Sequence, residues 1–411
     1  MDQIHDRVAG LDVHRDAIAA CVRAPGPRGG TVTEKARFKT TSAGLLELRG
    51  WLADRAVVLV AMEATGIYWK PVYYALEDHF TCWLCNAHHV KNVPGRKTDM
   101  SDAEWLADVA AHGMVRPSFV PPRPIRELRE LTRYRQTQVV ARSSEIARLE
   151  KVLQDAGVKL TSVASRVLTQ SGRAMVEALI SGVRDSGALA NLAKGKLRPR
   201  IAELEEALAG HFGAHHAVAA RRILDHIDFL DDTVAALNEQ IGVRMNAYQS
   251  VIDLLLPIPG IDRRTIEVLV AETGADMNRF PTPGHLASWA GLCPGNHESA
   301  GRRRQVGTTA GNPWLVRALV QSARAAVRTK GSYFGAHYRQ IARRRGPNKA
   351  AIATAHSLLC LVWHLLTTGE CFSDLGADYY ERRRDPERQT RRLVRQLESL
   401  GHVVTLSQPA A

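Results

Sequence analysis

Hydrophobic and polar positions first alternate at strand spacing and then switch to helical spacing. Val8-Ala9-Gly10-Leu11-Asp12-Val13-His14 is a short apolar run carrying one acid, and residues 17–22 continue in strand fashion. Gly26-Pro27-Arg28-Gly29-Gly30 marks a turn before a third strand over 31–40. Ser42 stands where a helix over 44–54 needs its cap, and Ala56 to Met62 reads as a buried-type strand ending at Glu63. Ala64-Thr65-Gly66 leads to a helix from about Ile67, and residues 81–87 form a further strand. Trp105, Leu106, Val109 and Ala110 then recur at helical spacing. Strands alternating with helices predict a mixed α/β domain over 1–122.

Beyond Pro121-Pro122-Arg123-Pro124 the strand signal stops. A helix over 125–155 carries Arg135, Val139, Arg142, Ile146, Leu149 and Leu153 at alternating steps of four and three. A second stretch repeats the heptad with Ile223, Ile227, Leu230, Val234, Leu237 and Ile241. Residues 123–247 are therefore expected to form a long-helix coiled-coil region, paired within one chain or bridging two. Arginines at seam-like positions weaken the first helix or turn part of it toward nucleic acid. Short helices broken at Gly172, Gly182, Gly187 and Pro199 fill residues 158–212 and read as scaffold. A third, helical domain is expected over 248–345, with helices over 265–273 and 314–328. A basic helical extension follows over 346–411, with a helix over 350–366. Near its end Leu393, Leu397 and Leu400 share one face, opposite Arg391, Arg392 and Arg395. The fold class is thus α/β plus all-α.

The chain has 411 residues, enough for two or three domains, and 45% hydrophobic and 24% charged content mark it as globular. No apolar run reads as membrane-spanning, and Met1 to Arg7 is not a signal peptide. Six cysteines in so long a chain fit a reduced, cytoplasmic setting better than a disulfide framework. The net charge of +13 changes the picture most, because it selects polyanions as partners. Nucleic acid fits better than an anionic membrane, for which no lipidation motif is present.

Acids stand out against that charge. Asp99 and Asp102 lie three residues apart at the start of the helical run. One reading is an N-cap followed by first-turn decoration; the other is a pair of carboxylates that repel unless a hard cation such as Mg2+ or Mn2+ lies between them. Asp12 on the first strand and Glu63 at the end of a buried strand can converge with them at one edge of the sheet. Four acids on two strands and a helix match the ribonuclease-H-like nuclease layout, where two divalent ions serve the attacking and leaving oxygens. Cys82-x-x-Cys85 beside His88-His89 invites a zinc reading. The two thiols would point to opposite faces of a strand, so core thiols are the better account.

Pro257-Ile258-Pro259-Gly260-Ile261-Asp262-Arg263-Arg264-Thr265 has the pattern of a helix-hairpin-helix, which offers backbone N–H groups to a phosphate; a plain packing corner has the same pattern. Ser299 is flanked by small residues and followed by Arg302-Arg303-Arg304, so its hydroxyl could be approached with a phosphate held beside it. A lone loop serine is the alternative. No Gly-x-Ser-x-Gly elbow is present, which argues against acyl transfer. Arg343-Arg344-Arg345 adds another basic run.

In order and spacing, these residues resemble the DEDD transposases of bacterial insertion sequences, the family associated with bridge-RNA-guided recombination. The resemblance rests on Leu11-Asp12-Val13-His14, Met62-Glu63-Ala64-Thr65-Gly66, Lys97-Thr98-Asp99 with Asp102-Ala103, Ile258-Pro259-Gly260-Ile261, Gly291-Leu292-Cys293-Pro294 and Ser299-Ala300-Gly301. It implies a Holliday-junction-resolvase-like N-terminal domain in which Asp12, Glu63, Asp99 and Asp102 bind Mg2+ or Mn2+. It implies a C-terminal transposase domain in which Ser299 attacks DNA and holds a covalent intermediate. Ala300 replaces the glycine that the family often has there. Attack requires Ser299 to reach the quartet, across domains or from a second protomer. The implied partners are double-stranded DNA at donor and target sites, a guide RNA and further copies of the chain, in dimers or tetramers. The implied setting is the bacterial cytoplasm, with nucleoid association when active. Nucleic-acid contacts are expected from Lys97, Gly260, Arg263, Arg264, Arg302–Arg304 and Arg343–Arg345. Two other readings stand beside this one: a metal-dependent resolvase-like nuclease with water as nucleophile, and a non-catalytic architectural DNA binder.

Overall fold

The computed structural model describes residues 4–27, 29–86, 90, 102–295, 307–383 and 386–407, and the backbone of 298–299 and 302–303. The chain forms two compact units, Met1–Pro121 and Pro122–Ala411.

The first unit is built on a five-stranded mixed sheet of order β3-β2-β1-β4-β5. Its strands are β1 (Val8–Val13), β2 (Ala17–Pro25), β3 (Thr31–Lys39), β4 (Leu59–Glu63) and β5 (Thr81–Cys85). The first three form an antiparallel meander, and β4 and β5 run parallel to β1. Two elements start differently from the sequence expectation. Helix α1 (Ser42–Asp54) is capped by Thr41 rather than Ser42, with the Gly44 N–H donating to Thr41 Oγ1 at 3.3 Å. Strand β4 begins at Leu59 rather than Ala56, because Ala56 adopts a positive φ of 50° in the turn leaving α1.

Alternation on the strands builds a core on each face. Leu11, Val13, Val60 and Met62 pack against Leu48 and Leu52 of α1 and against Val72 and Leu76 of α2 (Trp69–Leu76). On the other face Val8, Leu59, Ala61 and Cys85 pack against Leu106, Val109 and Ala110 of α3 (Asp102–Ala111).

The second unit is helical. Helix α4 (Arg123–Asp155) is followed by four short helices: α5 (Leu160–Val163), α6 (Gln170–Ile180), α7 (Ser186–Ala190) and α8 (Ile201–Leu208). Gly172 and Gly187 do not break helices as their composition suggested; each lies inside one, in α6 and α7. Gly172 is needed there because a Cβ would come within 2.0 Å of the Val167 carbonyl oxygen. Helix α9 (Ala214–Met245) then returns along α4. Contacts from Arg135 to Asn238 and from Arg142 to Asp231 make the pair antiparallel and internal to one chain.

The α4–α9 seam mixes apolar and ionic contacts. Leu149 and Leu153 pack with Ala220, Leu224 and Ile227 at one end, and Ile125 and Leu128 with Ile241 and Met245 at the other. Between them, beside the buried Leu230, the seam carries ion pairs. Arg142 makes a two-pronged contact with Asp231, and buried Arg135 bonds Glu267 and Asn238. The seam arginines therefore serve protein carboxylates and amides, a correction to reading them as a surface turned to nucleic acid.

Among the described residues eight further α-helices follow: α10 (Gln249–Leu255), α11 (Arg263–Thr273), α12 (Pro283–Ala290), α13 (Pro313–Ala326), α14 (Tyr333–Arg345), α15 (Pro347–Thr368), α16 (Tyr379–Arg382) and α17 (Pro386–Ser399). Contrary to the sequence reading, α15 is long and apolar enough to cross a membrane by length and composition. Its Ala355, Leu358, Leu359, Val362 and Leu365 instead join the core with α11, α12 and α13. On α17 the Leu393 and Leu397 side chains are exposed.

One buried acid ties three of these elements together. Glu272 on α11 has no exposed surface; it receives Arg133 of α4 through both carboxylate oxygens, at 2.7 and 2.8 Å, and the Asn312 amide at 2.6 Å. Arg129 adds bonds to the Ala271 and Glu272 carbonyls. Removing one member of such a buried pair leaves the other desolvated and unmatched. Glu272→Ala is expected to lower the unfolding free energy of the second unit by about 3–5 kcal/mol; a denaturant melt that matches the parent protein would show the network to be dispensable.

Candidate active site and nucleic-acid interface

Asp12 and Glu63 come together through strand register. Leu11 pairs with Met62 across the parallel β1–β4 ladder, so the next residues lie side by side, Glu63 at the end of β4 and Asp12 one residue before the end of β1. Leu11, Val13 and Met62 face the α1–α2 core. Alternation therefore sends both carboxylates to the opposite face, the one covered by α3.

The approach of α3 to that face is governed by Gly10. A Cβ on Gly10 would lie 2.0 Å from the Ala103 carbonyl oxygen and 2.6 Å from the Ala107 nitrogen. The helix backbone thus rests directly on β1, two residues before Asp12. The helix runs opposite to β1, since Ile4 and His5 ahead of the strand donate to the Ala111 carbonyl at its far end. Its first residue, Asp102, therefore comes to the Asp12 end. Ion pairs hold the helix in place: Arg23 on β2 with Asp108 at 2.6 Å, and Lys35 on β3 with Glu104. Asp99 and Lys97 lie outside the described residues.

Two neighbours of the acids went unassigned from sequence. His14 Nε2 is 3.1 Å from Asp12 Oδ2, and Thr65 Oγ1 donates to Glu63 Oε1 at 3.0 Å. Each follows its acid by two residues, the spacing at which strand side chains share a face, and that spacing was the available signal. The contacts occupy one oxygen of each carboxylate. Among the described residues no protein donor meets Asp12 Oδ1 or Glu63 Oε2. Two half-exposed carboxylates with open oxygens, and a third acid on the adjoining helix, are an oxygen-only donor set that fits Mg2+ or Mn2+.

Two other metal candidates have simpler explanations. Cys82 and Cys85 fall in the cores on opposite faces of the sheet, and burial pushes both thiols up to about 12, away from the thiolate that zinc requires. His88 and His89 lie outside the described residues. Asp155, His215 and His216 also cluster. There His216 Nδ1 accepts from the Gly213 N–H at 3.0 Å, leaving Nε2 protonated to donate to Asp155 at 3.0 Å. Both ring nitrogens are engaged, Nδ1 in capping α9 and Nε2 with Asp155 at the end of α4.

In the second unit Ser299 lies on a two-stranded hairpin, β6 (Glu298–Ser299) and β7 (Arg302–Arg303), where it pairs with Arg302. The stem continues outward through the Pro294–Thr308 bridge and a Gly295 N–H to Gly307 bond of 2.9 Å. At its base two glycines touch: a Cβ on Gly311 would lie 2.3 Å from the Gly291 nitrogen, and Gly291 has a φ of +82° as the α12 C-cap. Asn312, next along, caps α13 while its amide donates to Glu272. The serine hairpin is thereby anchored to the buried ionic network. Arg304 lies outside the described residues.

Gly260 forms the turn between α10 and α11 at φ +84°, and a Cβ there would meet the Ser322 carbonyl oxygen of α13 at 2.3 Å. The hairpin is thus clamped onto α13. The N-terminus of α11 is already occupied, since Asp262 Oδ1 accepts from the Thr265 N–H at 2.8 Å. A phosphate at this corner would meet hairpin N–H groups and side chains rather than the helix end. Arg264 is exposed, Arg263 lies 3.5 Å from Glu267, and Arg343, Arg344 and Arg345 are exposed on the last turn of α14.

Comparison with known proteins bears on both units. A model of DEDD transposases of the IS110 kind matches residues 9–157, and one for the transposase IS116/IS110/IS902 family matches 252–339. The chain belongs to the IS110 family of insertion-sequence transposases. Over 375 residues it is 24% identical to the transposase for insertion sequence element IS1111A of Coxiella burnetii, covering 89% of this chain and 91% of that one. It is 23% identical over 303 residues to a pilin gene-inverting protein of Moraxella bovis, covering 71% and 73% of the two chains. A 135-residue stretch is 31% identical to the insertion element IS110 43.6 kDa protein of Streptomyces coelicolor, about a third of each chain. The first matched region of this IS110-family transposase contains Asp12, Glu63, Asp99 and Asp102; the second contains Gly260 and Ser299.

Gly10 tests the geometry of the acid face separately from its chemistry. Gly10→Ala must push α3 off β1, and is expected to cost about 1–3 kcal/mol of stability and to abolish DNA strand cleavage. Gly50→Ala, in open space on α1, is expected to be neutral or slightly stabilising. Thermal melts and cleavage assays of the two variants check this; equal behaviour would mean that α3 is not held by the contact.

Proposed function

We propose that this transposase cuts and rejoins DNA through attack by Ser299, assisted by divalent ions at an acidic quartet of Asp12, Glu63, Asp99 and Asp102. In this reading the first unit is a ribonuclease-H-like, resolvase-like catalytic domain. The observation that carries it is the docking of α3 on Gly10, which turns the Asp102 end of the helix toward the end of the sheet that carries Asp12 and Glu63. Bound Mg2+ or Mn2+ would supply positive charge against the phosphate and favour the ionised hydroxyl of the nucleophile. His14 and Thr65 hold the two strand carboxylates in orientation, each by one oxygen.

The step at Ser299 is a transesterification. The serine oxygen forms a bond to phosphorus, the bond from phosphorus to the leaving sugar oxygen breaks, and the serine proton ends on the leaving oxygen. The phosphoserine ester conserves the phosphodiester until a sugar hydroxyl reverses the exchange, whereas attack by water would discard it. Relatives named as pilin gene-inverting proteins support this choice over a nuclease, because inverting a gene requires every cut strand to be rejoined. Pairing of Ser299 with Arg302 in the hairpin puts a basic residue opposite the nucleophile.

A guide RNA and assembly into dimers or tetramers belong to the same reading. The net charge of +13 suits two nucleic-acid partners. Exposed Val140, Phe229 and Val243 offer apolar surface on the α4–α9 pair. The domain division proposed is 1–122 for the acidic domain, 123–247 for the long helices, 248–345 for the serine domain and 346–411 for the basic extension.

Ser299→Ala should leave DNA binding within about twofold, since one hydroxyl contributes little beside many arginine–phosphate contacts, and should abolish strand exchange. Asp12→Asn should abolish cleavage with the fold intact, as should chelation. A denaturing gel of end-labelled DNA, with and without protease, reads the covalent adduct. Normal recombination by Ser299→Ala, or recombination by the parent without a trappable adduct, would leave the hydrolytic resolvase reading in its place.

A further inference from the structure

One cavity in the second unit is not used by the cleavage chemistry. It encloses about 510 Å3 between α4, the hairpin before α11, and α13. Five arginines line it, Arg133, Arg135, Arg264, Arg317 and Arg328, against two carboxylates, Asp262 and Glu272. The cations divide into two sets. Arg133 and Arg135 are neutralised at the floor by Glu272 and Glu267. Arg264, Arg317 and Arg328 are exposed, and among the described residues no carboxylate or carbonyl meets their guanidinium groups. Three cations gathered at one cavity without an anionic partner repel one another, and an anion removes that repulsion.

The cavity also has an aromatic wall. Trp314 is half-buried there, with the Arg133 and Arg317 guanidinium carbons 5.7 and 5.9 Å from its ring centroid. The Gln136 and Gln321 amides lie along the same lining and offer both donors and acceptors. Cations, an indole and amides in a space of this size are the groups that hold a phosphate, a base and the polar edge of that base. A base within a duplex is covered on both faces by its neighbours and cannot lie on an indole; an unpaired one can.

We propose that this cavity binds an unpaired nucleotide of a single nucleic-acid strand, with its phosphate on Arg264, Arg317 and Arg328 and its base against Trp314. This goes beyond the cleavage chemistry and needs neither Ser299 nor the acidic quartet. Gly260 acquires a second use, because its clamp on α13 sets one wall of the cavity. DNA and RNA share the chemistry recognised, so the source of the strand is a matter for experiment.

The test uses the full-length protein in excess chelator, where binding is read apart from cleavage. Fluorescence anisotropy would follow labelled oligo-dT, oligo-U and a DNA duplex of the same length. Trp314→Ala is expected to weaken single-strand binding roughly tenfold or more and duplex binding much less, while Trp314→Phe retains most of it. Arg264→Gln and Arg317→Gln, both exposed and outside the Glu272 network, should each lower the slope of log affinity against log salt by about 0.7 for a single strand. Loss confined to oligo-dT assigns the site to DNA, loss confined to oligo-U assigns it to RNA, and loss for both supports a site that takes either. Equal single-strand affinity in the parent and all variants, or an equal loss for the duplex, overturns the proposal.

Discussion

The acidic face of the first unit depends on one steric fact, the absence of a side chain at Gly10. With the α3 backbone lying on β1, the helix starts beside the strand end that carries Asp12. Any other residue would hold the helix off by the radius of a methyl group or more, and the carboxylates would separate by a similar amount. The divalent cation proposed for this face would tolerate little of that, because its oxygen ligands must lie within narrow limits of distance. The rest of the unit reinforces the contact. Arg23 and Lys35 fasten α3 to the antiparallel strands, while β1–β4 register places the other two acids.

The second unit solves a different problem, which is how to carry many arginines and still fold. Part of the positive charge is spent inward: Arg133, Arg135 and Arg142 each meet a carboxylate, and the buried Glu272 organises α4, α11 and the cap of α13. The seam of the long helices thus carries ion pairs between its apolar ends, and those pairs distinguish this pairing register from its alternatives. The remaining arginines stay exposed, on the cavity rim and on the last turn of α14, where they also favour the helix dipole. The serine hairpin hangs from this network through Asn312, so the orientation of the hairpin and the stability of the helical core are coupled.

Much of this was readable from residue order. Alternating runs identified five strands and the helices between them, and heptad spacing identified two long helices. The acids stood out because carboxylates on buried strand ends in a basic chain need a reason. Errors fell where local signals compete. Thr41 and Ser42 are both competent caps, and only the backbone path chooses between them. Gly172 looks like a helix breaker in isolation, yet it is required inside a helix by the nearby Val167 carbonyl. The apolar run of α15 was read as an ordinary helix, although its length alone would also suit a membrane.

Sequence by itself determined the periodicities, the charge, and the residue types able to bind metal or attack phosphorus, because these are properties of neighbours along the chain. Tertiary structure decided which of them meet. Gly10 and Ala103 are distant in sequence, as are Arg133, Glu272 and Asn312, and no local pattern specifies such pairs. The partners of the seam arginines also became visible only in the fold, since a long cationic side chain has the same composition whether it serves a carboxylate or a phosphate. Where an arginine ends is set by the nearest anion that packing brings within reach, and packing is a property of the whole chain.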